Sequence, residues 1–141
     1  MGIFIGIPAL NHAVLKGCYK KLGNPVFDAE GVNIAYTAAD DHAAFVIKNG
    51  QIISPEFLNV DNPTFGADQS IAYLATIGTL EGNLVSNLSS FVMVNQKKVS
   101  PKFKSSVTYR FDKTGKNIYF AGFEQFDKMI LIGSFNLGDL K

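Results

Sequence analysis

The chain has 141 residues, of which 47% are hydrophobic and 18% are charged, and its formal net charge is +1. This composition excludes an intrinsically disordered chain, because such chains combine low hydrophobicity with high net charge. The length suits a single domain over residues 1–141. The chain has one cysteine, Cys18, which excludes an intramolecular disulfide and a cysteine-cluster metal site.

A helix near the amino terminus is the first long element that the sequence predicts. Pro8 suits the first helical position, and Gly23 followed by Pro25 suits the helix end. Apolar residues recur between them at helical spacing, namely Leu10, Ala13, Val14, Cys18 and Leu22. This apolar start lacks a basic segment and is interrupted before membrane-spanning length. We therefore expect no signal peptide or transmembrane segment, and an intracellular or virion-type setting.

Residues 32–77 predict β-strands. Val32, Ile34 and Tyr36 alternate with more polar residues, as in a half-buried strand. Residues 44–54 predict a hairpin, because Asn49-Gly50 supplies the positive φ angles of a tight turn. Residues 69–77 fit either a short helix or a strand, and their alternation favours the strand.

Residues 82–96 carry no charge, and apolar residues lie on both faces of the strand that they predict. A strand that is apolar on both faces is covered on both faces. The cover is either a second layer of the same chain or another subunit, and both alternatives remain open.

Residues 98–112 alternate between polar and apolar side chains and predict one strand with a basic outer face. The bases on that face are Lys98, Lys102, Lys104 and Arg110. Pro101 belongs on a sheet edge or at a bulge. This basic stripe is the candidate binding site for an acidic partner or an anion.

A three-strand meander completes the chain, with turns at residues 112–116 and 127–128. The predicted fold is mainly β, an antiparallel sandwich or barrel with one amino-terminal helix. The alternative is an α+β fold with that helix packed across one face of an antiparallel sheet. No internal repeat is expected.

Asp40-Asp41-His42 is the one dense cluster of acid–base groups, and a polar turn explains it better than a site. Adjacent strand residues point to opposite faces, so the three side chains cannot converge on a metal unless they lie in a turn. The sequence contains no nucleophile elbow, phosphate-binding loop or dinucleotide fingerprint. It therefore argues against an enzyme and predicts no cofactor and no metal.

The charges are segregated along the chain. Residues 28–81 carry eight acidic residues against one basic residue, and residues 97–116 carry seven basic residues against one acidic residue. Such asymmetry favours association with partners, while a near-neutral isoelectric point argues against nucleic acid.

From these patterns the function that we expect is a non-catalytic subunit. It self-associates or docks a partner, such as an acidic protein, through low-charge strands and complementary charged faces. One alternative is a small carrier that holds an apolar ligand inside a β-barrel. A minor alternative is an enzyme with a pocket near Asp40-Asp41-His42.

Overall fold

The computed structural model describes residues 19–41, 43–104, 106–123 and 130–140. Their strands form three antiparallel sheets, which we name A, B and C. Sheet A contains β1 (Lys21–Leu22), β2 (Val26–Phe27), β3 (Ile34–Ala39), β4 (Ala44–Lys48) and β5 (Gln51–Ile52). Sheet B contains β6 (Asn59–Phe65), β7 (Ile71–Glu81), β8 (Leu84–Val94) and β9 (Lys97–Lys98). Sheet C contains β10 (Val107–Phe111), β11 (Asn117–Phe123) and β12 (Ile130–Asn136).

Each sheet is a meander, in which the order of the strands across the sheet follows their order along the chain. In sheet A, the short strands β1 and β2 both pair with the same edge of β3 and together form its first strand. Sheets A and B thus have four strand positions each, and sheet C has three among the described residues. Two 3-10 turns, Ala67–Gln69 and Leu137–Asp139, lie beside these strands.

The sheets stack face to face, with sheet B in the middle. Successive residues of β7 point to opposite faces, so Tyr73 joins the core shared with sheet A and Ala72 joins the core shared with sheet C. On β8, Phe91 and Val92 divide in the same way. Both faces of sheet B are thus covered by a neighbouring sheet, and this is why both faces are apolar.

Tyr109 ties sheet C to sheet B. Its hydroxyl lies within hydrogen-bonding reach of the carbonyl oxygens of Asn62 and Ala72 and of the Thr64 hydroxyl. Burial raises the pKa of the Tyr109 phenol to about 12. Asn62 and Thr64 lie at a break in the β6–β7 pairing, so the hydroxyl lies where the irregular strand leaves the Asn62 carbonyl in need of a donor.

The prediction of a mainly β, antiparallel fold is confirmed, and the described sheets do not close into a barrel. The predicted amino-terminal helix, and with it the α+β alternative, lies largely outside the described residues. The prediction is wrong for the carboxyl end of this helix, because Lys21 and Leu22 form strand β1 and pair with Ala39 and Ala38. Tertiary pairing at the edge of β3 overrides the helical spacing there. No helix among the described residues is long and apolar enough to cross a membrane.

Several local predictions are confirmed. The hairpin at residues 44–54 forms as β4 and β5, with φ angles of 50° at Asn49 and 83° at Gly50. Of residues 69–77, residues 71–77 belong to the predicted strand, whereas Gln69 ends a 3-10 turn. The final meander forms as β10, β11 and β12. The predicted turn at residues 127–128 lies outside the described residues.

An internal repeat is present, contrary to the sequence-based expectation. Residues 27–34 read Phe-Asp-Ala-Glu-Gly-Val-Asn-Ile, and residues 111–118 read Phe-Asp-Lys-Thr-Gly-Lys-Asn-Ile. The Asp28 carboxylate accepts the side-chain amide of Asn33 at 2.6 Å, and the Asp112 carboxylate accepts that of Asn117 at 2.8 Å. These bonds lower the pKa of both aspartates, that of Asp112 to about 2. Sheets A and C therefore share the same turn into their second strand.

Sheets A and B share a second pair of contacts. The Asn49 side-chain oxygen accepts the N–H of Ile34 at 3.0 Å, and that of Asn95 accepts the N–H of Ile71 at 3.0 Å. Each asparagine follows the third strand of its sheet and has a φ angle near 50°. Ile34, Ile71 and Ile118 are thus equivalent positions at the start of β3, β7 and β11.

A Ser-Pro-x-Phe segment ends the pairing in both sheets. Ser54 and Ser100 are buried, and each hydroxyl accepts a backbone N–H at 2.8 Å, from Val46 and Val92 respectively. Each hydroxyl also donates to the carbonyl of the next proline at 2.9 Å. Phe57 and Phe103 then form matching isolated bridges with β4 and β8.

Ser54→Ala and Ser100→Ala are each expected to lower the free energy of unfolding by roughly 1–3 kcal/mol, because each leaves a buried N–H without an acceptor. Urea unfolding followed by circular dichroism measures both values. Ser106→Ala, at an exposed serine, serves as the control and should change stability by less than about 0.5 kcal/mol. If only one of the two substitutions lowered the free energy of unfolding, Ser54 and Ser100 would not be structurally equivalent.

Candidate functional site

The four bases of the predicted stripe do not share one strand. Lys98 lies on β9 of sheet B, Arg110 lies on β10 of sheet C, and Lys102 and Lys104 lie in the segment that crosses between the sheets. The single strand predicted over residues 98–112 is therefore wrong, because the Ser100 hydroxyl takes the place of a backbone acceptor and the chain leaves sheet B after Phe103.

The alternation within this segment is largely as predicted. All four bases are exposed, while Phe103 and Tyr109 are buried. Ser100 is the exception, because the polar–apolar alternation over residues 98–112 puts it on the same face as Lys98 and Lys102, and it is buried instead. The Lys98 ammonium lies 5.7 Å from the centroid of the Phe91 ring, and the Lys104 ammonium donates to the Ser89 hydroxyl at 3.2 Å. The four bases of the stripe therefore lie on two sheets and the segment between them. Their role in binding an acidic partner or an anion stays a prediction.

Asp40 and Asp41 lie in the connection between β3 and β4. The Asp40 carboxylate accepts the N–H of Ala43 at 2.8 Å, as in a local turn. Asp41 forms an exposed ion pair with Lys20, and its hydrogen bond raises the pKa of that lysine. His42, the third residue of the cluster, lies outside the described residues. Within the described ranges, no three His, Cys, Asp or Glu side chains are grouped as metal ligands.

Two shallow clefts occur on the described surface. One has a volume of about 150 Å³ and runs between the edges of β1, β3 and β6, which is below the size of an ordinary small-molecule site. The other, of about 440 Å³, is open and is lined by Lys48 at the end of β4 and by turn residues such as Asp68 and Asn95. Neither cleft brings together a nucleophile and a base.

The most distinctive surface is an arm formed by the distal ends of β7 and β8. We define the arm as residues 77–89. Residues 78–88 are exposed throughout, and Leu84, at 67%, is the most exposed of its apolar side chains. The other large exposed apolar residues of the arm are Leu80, Val85 and Leu88. Glu81 is the one charged residue in this stretch of sequence.

The arm is a bent, two-stranded ribbon. Leu80 pairs with Val85 across it, and Gly82, with a φ angle of 60°, occupies the first position of its two-residue turn. The register shifts between Ile77 and Thr79, where Asn87 has a φ angle of 55°. This bulge bends the ribbon and increases its twist.

Both edges of the arm lack a neighbouring strand among the described residues. The pairing of β6 with β7 ends at Thr76, and beyond Ser90 no described residue pairs with β8 on its other side. Unpaired N–H and C=O groups along such edges can accept another strand. An isolated hairpin is at best marginally stable alone, so a partner that covers the arm would stabilise it.

The repeat shows that the arm is an insertion. The pairs Ala39–Ala44 and Thr76–Ser90 occupy equivalent places in sheets A and B. Residues 40–43 connect the first pair, whereas the whole arm connects the second. Insertions in one member of a repeat array commonly form its binding face.

The sequence pointed to this region by its lack of charge and predicted that both faces of its strand are covered, by a second layer or by another subunit. Phe91 to Val94 are buried within the chain, which confirms cover by a second layer there. Leu84 to Leu88 are exposed in the single chain, so cover by another subunit stays a prediction for them. The signal that was missed is the repeat, which identifies the extra length of the arm. Comparisons of the chain with family models, with curated proteins and with solved structures gave no match.

Proposed function

We propose that this chain is a non-catalytic binding subunit that docks an extended segment of another protein along its arm. The observation that carries the proposal is the exposure of Leu80, Leu84, Val85 and Leu88 on a ribbon whose edges are open. An extended peptide that adds a strand to an open edge gains main-chain hydrogen bonds, and alternate side chains give it specificity.

The composition of the arm supports docking over exposure to water. Natural proteins protect exposed edge strands with lysine, proline, short length or a bulge, and the arm has a bulge but neither lysine nor proline. Apolar surface that a partner covers gains about 25 cal/mol per Å² removed from water. The arm therefore has the properties of a surface that is covered when the protein works.

Charge adds orientation to this proposal. Lys104 contacts Ser89 at the base of the arm, and Lys102 is exposed in the same crossing segment. An acidic residue at one end of the docked segment would face these bases, and such complementarity sets the direction and rate of binding. The proposal thus keeps the acidic partner that the sequence predicts, while contacts with the apolar side chains of the arm supply most of the affinity.

The test is a peptide-display selection against the chain, followed by titration of selected peptides. We expect selected sequences to be extended and alternately apolar. Leu84→Lys should weaken their binding roughly tenfold or more, because it places a charge in the buried contact. Val32→Lys is the matched control, since Val32 is 74% exposed and lies away from the arm, in a turn.

A second variant tests the arm as a whole. Replacing residues 77–89 by the sequence of residues 40–43 gives sheet B the short connection of sheet A, and it should abolish peptide binding while the three sheets stay folded. Selection of peptides that bind this variant as tightly as the parent chain would overturn the proposal.

A further inference from the structure

The outer face of sheet A, which points away from sheet B, is buried along its centre and exposed at its edges. On the two central strands, Ala38 is 1% exposed and Ile47 is 0% exposed, and neither belongs to the core on either side of sheet B. Leu22 pairs with Ala38 on one edge strand and is 60% exposed. Ile52 pairs with Ile47 on the other and is 47% exposed. The centre of this face is therefore covered over a width of about two strands.

The strands of sheet A do not provide this cover themselves. Side chains stand roughly perpendicular to their sheet, so in-sheet neighbours flank a side chain and leave its tip open. Ile132, on the outer face of sheet C, shows the result, because it is 75% exposed. Among the described elements outside sheet A, the main contact of β3 and β4 is β6, which lies on the opposite face.

Tyr19 shows where the chain enters the covered face. Its ring meets the ring of Phe45 edge to face, with the centroids 6.2 Å apart. Phe45 pairs with Ala38, so both side chains lie on the outer face of sheet A. The N–H of Lys20 donates to the carbonyl of Ala39 at 2.9 Å, which fixes the next residue at the edge of β3. Followed towards the amino terminus, the chain thus passes from the sheet edge onto the outer face.

The segment that precedes Tyr19 has the size and the pattern of the cover. Residues 8–18 lie outside the described residues, and their sequence predicts a helix with an apolar stripe of Leu10, Ala13, Val14 and Cys18. Eleven helical residues span about 16 Å, and the six residues of β3 span about 20 Å. A helix is about 10 Å wide, which covers two strands spaced about 4.8 Å apart and leaves the edge strands in water.

We propose that residues 8–18 dock as a helix along β3 and β4, with their apolar stripe on the outer face of sheet A of the same chain. Tyr19 already contacts that face, so docking closes a very short loop and requires little loss of chain entropy. The segment serves as a cap, because a stack of sheets needs a cover with a polar outer side at its end. This contact lies on sheet A and does not depend on the arm, which belongs to sheet B.

A nitroxide on the far side of the segment tests its location. In the full chain, Cys18→Ala removes the native thiol and His12→Cys provides the labelling site, since residue 12 lies off the apolar stripe. With methyl-labelled isoleucine, we expect the nitroxide to broaden the signal of Ile47 and to leave that of Ile132 unchanged. In a mixture of nitroxide-labelled and methyl-labelled copies, the Ile47 signal should stay sharp.

The reactivity of Cys18 with an aromatic disulfide reagent tests the orientation of the segment. In the parent chain the thiol should be protected, and Val14→Lys should raise its rate of reaction at least about tenfold, because docking would bury an ammonium group. His12→Lys is the matched control, since it adds a lysine off the stripe and should leave the rate unchanged. Circular dichroism should show the same β-sheet signal in both variants.

Three results would overturn the proposal. The first is an Ile47 signal that the nitroxide does not broaden, which would leave the segment off sheet A. The second is broadening in the mixture of copies, which would assign the cover to a second molecule. The third is an equal rate of thiol reaction in the Val14→Lys and His12→Lys variants. The variant with residues 40–43 in place of the arm should still show the broadening, so this proposal and the docking of peptides on the arm can fail separately.

Discussion

Phe103→Ala is expected to lower the free energy of unfolding by about 3–5 kcal/mol, the range for truncating a buried aromatic residue. Phe103 is fully buried between sheets B and C, and its ring meets that of Phe120 edge to face, with centroids 6.2 Å apart. Its backbone bridges Ser90 of β8, so one residue joins the backbone of sheet B to the core of sheet C. Urea unfolding, with the parent chain measured alongside, gives the change.

Two other phenylalanines provide the comparison. Phe27→Ala, at a side chain that is 58% exposed, should change stability by no more than about 0.5 kcal/mol. Phe57 is the equivalent of Phe103 in sheet A and is half-buried, so Phe57→Ala should fall between the two. If Phe103→Ala were no more harmful than Phe27→Ala, the ring would not be part of the core.

Gly122→Val is expected to lower the free energy of unfolding by about 3 kcal/mol, at the upper end of the usual cost of overpacking. A Cβ atom at residue 122 would lie 2.6 Å from two atoms of the Phe103 ring. Valine favours strands over glycine, so local preference alone predicts a gain in stability. The clash turns the expected gain in stability into a loss, because neither the Phe103 ring nor β11 can move without disturbing the core.

Combining this change with Phe103→Ala identifies the contact directly. The space left by the lost ring should accept the valine side chain, so the double variant should be more stable than the sum of the two single changes predicts, by about 1–3 kcal/mol. The free energy of unfolding is measured for all four members of the cycle. Additive losses would show that the two residues act on stability independently.

Strands and turns were predictable where local chemistry determines them. Asn49-Gly50 specifies its own turn geometry, and the alternation in residues 107–111 specifies which side of β10 is buried. Such patterns depend on residues that are neighbours in the chain. They therefore gave the hairpin and the final meander without knowledge of the rest of the fold.

Other features depend on distant residues and could not be predicted in this way. Leu22 fits a helical stripe, yet it pairs with Ala38 because the edge of β3 is open there. The bases from Lys98 to Arg110 fit one strand, yet the Ser100 hydroxyl ends the pairing between them. The repeat was missed because its copies have hairpins of different length, which leaves no constant period in the sequence.

The candidate site shows the same division. The absence of charge in residues 82–96 was readable, but the same composition serves burial at Val92 and exposure at Leu84. The difference lies in whether sheets A and C flank that half of β8. Phe91 to Val94 run between sheets A and C, whereas the arm extends past both of them.

The meander order of the three sheets has a consequence for how the chain folds. Nearly every strand pairs with the strand that comes just before or after it. Most pairings therefore close short loops, and the loss of chain entropy on forming each of them is small. The two cores join only adjacent sheets, as in proteins whose units interact with nearest neighbours alone. Sheet B takes part in both cores, so folding that starts in sheet B can extend in either direction along the chain.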